Sequence, residues 1–454
     1  MHTIQQSAKA IDALGRHLRG TVVRPGDPRF LSGRRVWNAA IDQHPAAIVL
    51  CDDAEDVALA VRIAADHGAA MTVRGGGHNV AGRSVAAGAL LIDLSRLRGV
   101  VVNDRTKVAV VQGGALWHDL DVATAHSGLA TTGGMVSSTG VGGLTLGGGT
   151  GWLMRRHGLA IDNLLAAGVV LADGRFLRVS ATENAELFYG LRGGAGGLGI
   201  VTSFEFQLHG LRQVLAGLIV RPAAEAADTL RTFRDFADAA PDEFCGVVVI
   251  ARAPPLPFLP AFWHGQPVII SALCWCGDLA TGERVIEPLH RFGSPLAVNI
   301  GPIPYVQWQH VLDGSAPAGR YQYWKNATCE GLSDAIIGLL ASAANDLPSR
   351  YSEIHVQHMG GAVARIAEGD TAFASRRAGF FVNIVGMTPW PEEFADMRAR
   401  TRRLHEGLVP SALPGLLPNF SDRDDGDVTA RLDAVRARRI GSLRQRYDPQ
   451  ALFV

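Results

Sequence analysis

Two short stretches of this 454-residue chain bring together residue types that do chemistry. The first is TVRGGGHNVAG, Thr72 to Gly82, which follows a run that reads as a strand and sets His78 at the lip of a three-glycine turn. Glycines let the main chain approach a ligand closely and aim its N–H groups at an anion, because no Cβ blocks either movement. The second is SEIHVQHMGGAV, where strand alternation sends Glu353, His355 and Gln357 to one face and Ser352, Ile354, Val356 and His358 to the other. A face carrying a carboxylate, an imidazole and an amide has groups that can take up a proton. The same face is also what a strand shows to solvent, with His355 inert. RYQYWKN adds Tyr321, Tyr323 and Lys325 on one alternating face, and Tyr323 is a second candidate base or substrate contact.

Two further glycine concentrations are TTGGMVSSTGVGGLTLGGGTGWL, residues 131–153, and LRGGAGGLGIVTSFEF, residues 191–206. Gly194, Gly196 and Gly199 satisfy G-x-G-x-x-G, yet that fingerprint has to open a helix and here it runs into β-branched, alternating IVTSFEFQL. Three separate glycine loops point instead to a long polyanionic ligand lying across several loop tips.

The formal charge is zero, which removes the basic footprint that nucleic-acid binding needs and leaves a small-molecule partner. With 47% hydrophobic residues the chain can bury large cores in two or three domains. The basic residues are almost all arginine, Lys9, Lys107 and Lys325 being the lysines, as GC-rich bacterial coding gives. No run has the length of a membrane span or a signal-peptide core, so a cytoplasmic protein without a membrane partner is expected. The five cysteines are scattered apart from Cys274 and Cys276, which is weak evidence for a metal and reads as buried free thiols.

Those motifs have to be positioned by three regions. Residues 1–205 alternate short strands (AAIVLCDD, LLIDLS, VAVVQGG) with helices (AEDVALAVRIAADHG, ALWHDLDVATAHSG), an α+β pattern dense in glycine. Residues 206–405 carry longer amphipathic helices between strand-like runs, the pattern of a sheet with helices on one side. Residues 406–454 end in a helix, DVTARLDAVRARRIGSLRQRY, stopped by Asp448-Pro449.

RGGGHN, GVGGLTLGGGTGWLMRRHGLAIDNL, ELFYGLRGGAGGLGIVT, PNF and RYDPQALF, in that order, resemble the FAD-linked oxidases of the vanillyl-alcohol-oxidase (PCMH) type, in the berberine-bridge-enzyme-like branch. The resemblance implies an α+β, two-domain fold. Residues 1–205 and the tail 406–454 form the FAD-binding domain, and 206–405 form an inserted substrate domain, an antiparallel sheet covered by helices. It implies FAD joined covalently to His78 through the flavin 8α-methyl group. The cofactor is implied to lie on Arg74, Gly75, Gly76, Gly77, Asn79, Gly82 and Ser84; on Val136, Thr139, Gly140, Gly142, Gly143, Leu144, Gly147, Gly148 and Gly151; and on Gly199, Ile200, Val201 and Asn419. O2 and a small secondary-metabolite or alcohol-type substrate are the implied partners.

Four departures from the family pattern matter. Many relatives have a second, cysteinyl link from the position that is Val136 here, so a single bond to flavin is expected and no cysteinyl link. Leu144 replaces a common histidine, and Thr139 stands where relatives influence oxygen access to the flavin. Leu417 replaces the tyrosine that relatives use as catalytic base, which turns attention to Glu353, His355, Gln357 and Tyr323. The implied activity is an oxidase that makes peroxide. A monooxygenase working through an oxygenated flavin adduct and a non-catalytic flavin carrier are the alternatives.

Overall fold

The parallel strands Ala47–Leu50, Met71–Arg74 and Leu90–Asp93 are short and apolar because they are covered on both faces. They form a four-stranded sheet with Thr21–Val23, which pairs antiparallel at its edge. The computed structural model describes residues 2–194, 196–415, 417–426 and 432–454. The helix Ala54–Asp66 covers this sheet and starts where Asp53 accepts the Asp56 N–H at 2.9 Å. The end of the chain returns to the same sheet: Met71 N–H donates to Leu452 O at 2.7 Å and Val454 N–H to Met71 O at 3.0 Å.

A five-stranded antiparallel sheet follows, in the order Val100–Asn103, Val108–Gln112, Ile200–Gln207, Leu164–Val170, Phe176–Ser180. The third glycine cluster therefore does enter a strand, Ile200–Gln207, and not a helix.

The largest element is a seven-stranded antiparallel sheet, ordered Ala297–Pro304, Gln213–Pro222, Pro267–Trp275, Phe244–Arg252, Glu353–His358, Phe380–Thr388, Tyr321–Cys329. One face packs on the helices Ala226–Ala239, Leu279–Arg291, Asp334–Ala343 and Phe394–Leu408, through side chains such as Ile354, Val356, Val382 and Ile384. The other face packs on Trp152, Leu153, Leu159, Trp308 and Leu417, which brings it toward the second glycine cluster. The whole agrees with the α+β fold of antiparallel sheets and helices expected above. The closing helix is Ala434–Tyr447, capped by Asp433; the part of that expectation at 427–431 lies outside the described residues. All five cysteines are buried and unpaired. Among the described residues, no helix is long and apolar enough to cross a membrane, and no group of three or more His, Cys, Asp or Glu is arranged to hold a metal ion.

Candidate active site

The first two glycine loops are pressed main chain to main chain. A Cβ on Gly76 would stand 2.5 Å from the Gly140 nitrogen, and one on Gly140 would strike the Gly76 nitrogen in return. Gly77 and Gly82 each have φ of +64°, the left-handed region that favours glycine. Gly113 is the point of convergence: a Cβ on Gly75 or on Gly142 would lie 3.1 Å from its carbonyl oxygen, and its own N–H donates to Thr202 O at 2.8 Å. Val201 lies against the same residue, so the strand after the third cluster meets the first two loops there. Gly113, in the pair GG after VAVVQ, was not singled out from sequence, although a strand ending in two glycines is a signal of close backbone approach.

His78 stacks on Trp37, with ring centroids 4.4 Å apart and planes 19° from parallel. Trp37 also donates its backbone N–H to Gly77 O at 3.0 Å and its indole N–H to Ala316 O at 3.0 Å. Next to it, Asn38 donates from Nδ2 to Val80 O at 2.7 Å and to Gln322 O at 3.0 Å, and its Oδ1 accepts the Gln322 N–H at 2.9 Å. These two residues tie the histidine loop to the strand Tyr321–Cys329, and nothing in VWNAA announced them. Burial pushes the His78 imidazole down to about 4, so the ring is neutral at ordinary pH. Its Nε2 is buried without a hydrogen-bond partner among the described residues.

A carboxylate absent from the sequence reading braces the turn before Gly140. Asp313 accepts the Ser137 N–H at 2.8 Å and the Ser137 hydroxyl at 2.7 Å, and lies 2.7 Å from His310 Nδ1. Its charge also acts on His78, favouring the protonated ring against the larger effect of burial. No local motif links residues so far apart in the chain.

On the seven-stranded sheet, Glu353, His355 and Gln357 share the face turned away from the helices, as alternation requires. His355 Nε2 lies 2.7 Å from Glu353 Oε2, and both side chains are about four-fifths buried, at 22% and 18% exposed. The Gln357 amide points its Nε2 at Met135 Sδ, 3.7 Å away, so this face touches the segment that leads into Val136 and Gly140. Leu417 is buried in the same layer, with its N–H on Asn326 Oδ1 at 3.1 Å.

Residues 45–180 match the FAD binding domain family. Over 460 aligned residues the chain is 32% identical to (R)-6-hydroxynicotine oxidase of Paenarthrobacter nicotinovorans, covering 96% of this chain and 95% of that one. The chain belongs to the FAD-linked oxidoreductases of the berberine-bridge-enzyme-like type. The structure of 6-hydroxy-D-nicotine oxidase from Arthrobacter nicotinovorans superimposes with a TM-score of 0.82 at 26% identity, covering 96% of both chains. Physcomitrella patens BBE-like 1 shares the fold with a TM-score of 0.88 at 21% identity, covering 98% of this chain and 97% of that one.

An FAD-linked oxidoreductase of this type needs a cradle for a dinucleotide, and the local chemistry suits one. Among the described residues, His78 Nε2 and Ser84 Oγ are buried without partners beside the glycine turns, and no neighbouring side chain or distant backbone lies within 4 Å of where a Gly143 Cβ would project. Several of the expected cofactor residues are packed against neighbouring segments. Gly147 faces the Asn419 amide, Gly148 faces Phe373, Gly151 leaves no room for a side chain beside Gly133 O, and Gly199 lies against Val169 and Val170. Asn79 accepts the Ala81 N–H at 3.1 Å, which shapes the turn into Gly82. Ile200 and Val201 are buried strand residues, Leu144 packs beside Gly134 and Gly149, and Val136 and Thr139 close one turn through a 3.1 Å backbone bond.

Three side chains named from the sequence are engaged within the protein. The Arg74 guanidinium is spent on protein: its Nε donates to Asp93 at 3.1 Å, and its Nη1 to Gly33 O at 2.5 Å and Arg35 O at 3.1 Å. The Asn419 amide donates to Gly143 O and Leu144 O, each at 3.2 Å, and so holds the loop. Tyr323 does not join Glu353 and His355. On its strand Trp324 faces Trp37 and donates to the Gln322 side chain at 3.0 Å, while odd-numbered Ala327 and Cys329 pack in the helix-side core, so odd-numbered Tyr323 points to the helix side. There its hydroxyl donates to Asp424 at 2.7 Å and accepts from Arg402 Nε at 2.8 Å, while burial, followed by Asp424, raises its pKa.

Proposed function

We propose that this FAD-linked oxidoreductase carries its flavin on one covalent bond from His78 to the 8α position, without a cysteinyl link, and is an oxidase of a small alcohol or secondary-metabolite substrate that delivers the electrons to O2 as H2O2. In this reading residues 1–205 and 406–454 hold the cofactor and 206–405 hold the substrate. The observation that carries it is His78 itself: neutral, stacked on Trp37, and buried with a ring nitrogen that no group among the described residues satisfies. A neutral imidazole keeps the lone pair that bond formation needs. Val136, where relatives place a thiol, has no sulfur to offer.

FAD, when bound, accepts a hydride equivalent from substrate and returns the electrons to oxygen. The remaining work falls to side chains. Glu353 holds His355 Nε2, which leaves Nδ1, unbonded among the described residues, to take the proton that the substrate loses. General-base help of this kind is worth roughly 10²–10⁴ in rate. Phe381, Phe420 and Leu417 supply apolar surface that keeps water from this face. Thr139 and Asp313 set the turn on the other side.

Acid precipitation tests the linkage: flavin should pellet with the wild-type chain and be released by His78→Ala. Free flavin above a wild-type pellet overturns the assignment. Bleaching of the flavin by substrate under nitrogen, then peroxide on re-aeration, separates an oxidase from a carrier and from a monooxygenase.

A further inference from the structure

A histidine joins a cofactor fastest where its ring stands at a fixed angle to the atom it meets, because each free side-chain torsion spreads the nitrogen over positions that do not react. The loop that carries His78 does not supply that angle alone. Gly77, just before it, sits at φ of +64°, and His78 Nε2 has no hydrogen-bond partner among the described residues. Trp37 fills the gap. Its ring lies 4.4 Å from the imidazole with the planes 19° apart, and its N–H holds the Gly77 carbonyl, in the peptide bond that leads into His78, at 3.0 Å. One residue thus fixes both the backbone entering the histidine and the plane of the ring.

Trp37 is itself held from a distant part of the chain. Its indole N–H donates to Ala316 O at 3.0 Å, its carbonyl accepts the Gly319 N–H at 2.9 Å, and the Trp324 ring meets it edge-on at 5.5 Å. Only 6% of Trp37 is exposed, so a ring resting on it rests on a fixed surface. From this arrangement, and resting on the covalent reading above, we infer that Trp37 is a positioning residue for the bond between His78 and flavin. It presents the imidazole in one plane and acts through His78 alone. In forming that bond, a C–N link replaces one C–H of the 8α-methyl group and the ring N–H, and the two hydrogens with their two electrons pass to O2 as H2O2. The role needs an aromatic face and not bulk alone, since it is stacked rings that hold a preferred mutual orientation.

The full-length chain, produced under riboflavin limitation and then given FAD, tests this. Total bound flavin is read by absorbance after gel filtration, covalent flavin over time by acid precipitation, and stability by melting. Trp37→Leu keeps apolar bulk and loses the aromatic face: it should still bind FAD, while covalent attachment slows at least about tenfold. Trp37→Met fills the same space by a more flexible route and gives the same reading where Trp37→Leu folds poorly. Trp37→Phe loses the indole bond to Ala316 but keeps a face, and should attach flavin within about threefold of the wild-type rate. The inference is overturned if Trp37→Leu or Trp37→Met attaches flavin at the wild-type rate, or if Trp37→Phe is slowed as much as they are. A wild-type chain whose flavin all stays in the acid supernatant defeats the linkage reading itself. Acid-stable flavin formed equally fast in the wild type and in Trp37→Leu defeats only the part given to Trp37.

Discussion

The two walls of the site are closed by different means. Around Gly75–Gly77 and Gly140–Gly143, main chain meets main chain, and the room for a cofactor comes from the absence of side chains. Across the seven-stranded sheet the wall is made of side chains in pairs, Glu353 with His355 and Gln357 with Met135, and its chemistry depends on which face each residue takes. At Gly76 and Gly140 the first wall tolerates no added atom. The second tolerates substitution structurally but changes what it does. One has steric demands, the other chemical ones.

The sharpest way to break that comparison is a single methyl group in the first wall. Gly76→Ala places a Cβ 2.5 Å from the Gly140 nitrogen, where backbone and not a flexible side chain must yield. Flavin content should fall more than about tenfold, an effect of the size that loss of one steric fit produces. A chain that still retains full flavin, read by absorbance after gel filtration, would mean the loops separate freely and the cradle is looser than the contact indicates.

In the second wall the expected losses are kinetic. Glu353→Gln and His355→Ala should each slow anaerobic flavin reduction by at least about tenfold while leaving flavin content and spectrum close to wild type. Wild-type rates in both variants would strip the dyad of its role and leave proton removal to the substrate's own acidity.

The smallest effect is expected two strands away and on the opposite face. Tyr323→Phe removes a hydroxyl bonded to Asp424 and Arg402 on the helix side, so it should lower stability by about 1 kcal/mol and leave the reduction rate within about twofold. A large rate loss with unchanged stability in urea unfolding would put Tyr323 back at the site and reverse the assignment of faces.

Much of the first wall was legible beforehand because glycine is informative by what it lacks. Runs such as RGGGHN and GVGGLTLGGGTG exclude most alternatives, and G-x-G-x-x-G running into IVTSFEFQL already argued against a helix-borne dinucleotide site. The residues that complete the wall were not legible. Trp37 and Asn38 look like any loop pair, and Asp313 reaches Ser137 across 176 positions of chain. Gly113 drew no attention beside larger clusters.

The sequence by itself determined which residues share a strand face, because alternation with period two is a property of the extended backbone. It placed Glu353 with His355 and Gln357, and Tyr321 with Tyr323 and Lys325, and both groupings hold. It could not determine toward what each face turns, since that depends on packing against distant segments. Trp37 packs on Trp324 while Asn38 ties the Gln322 main chain to the histidine loop, and Tyr323 is thereby sent to the helices. The unmet amide of Asn383 belongs to the same class of fact. An asparagine in FFVNIVGM is an ordinary letter until neighbouring strands bury it between Asn326 and His355 with no hydrogen-bond partner among the described residues.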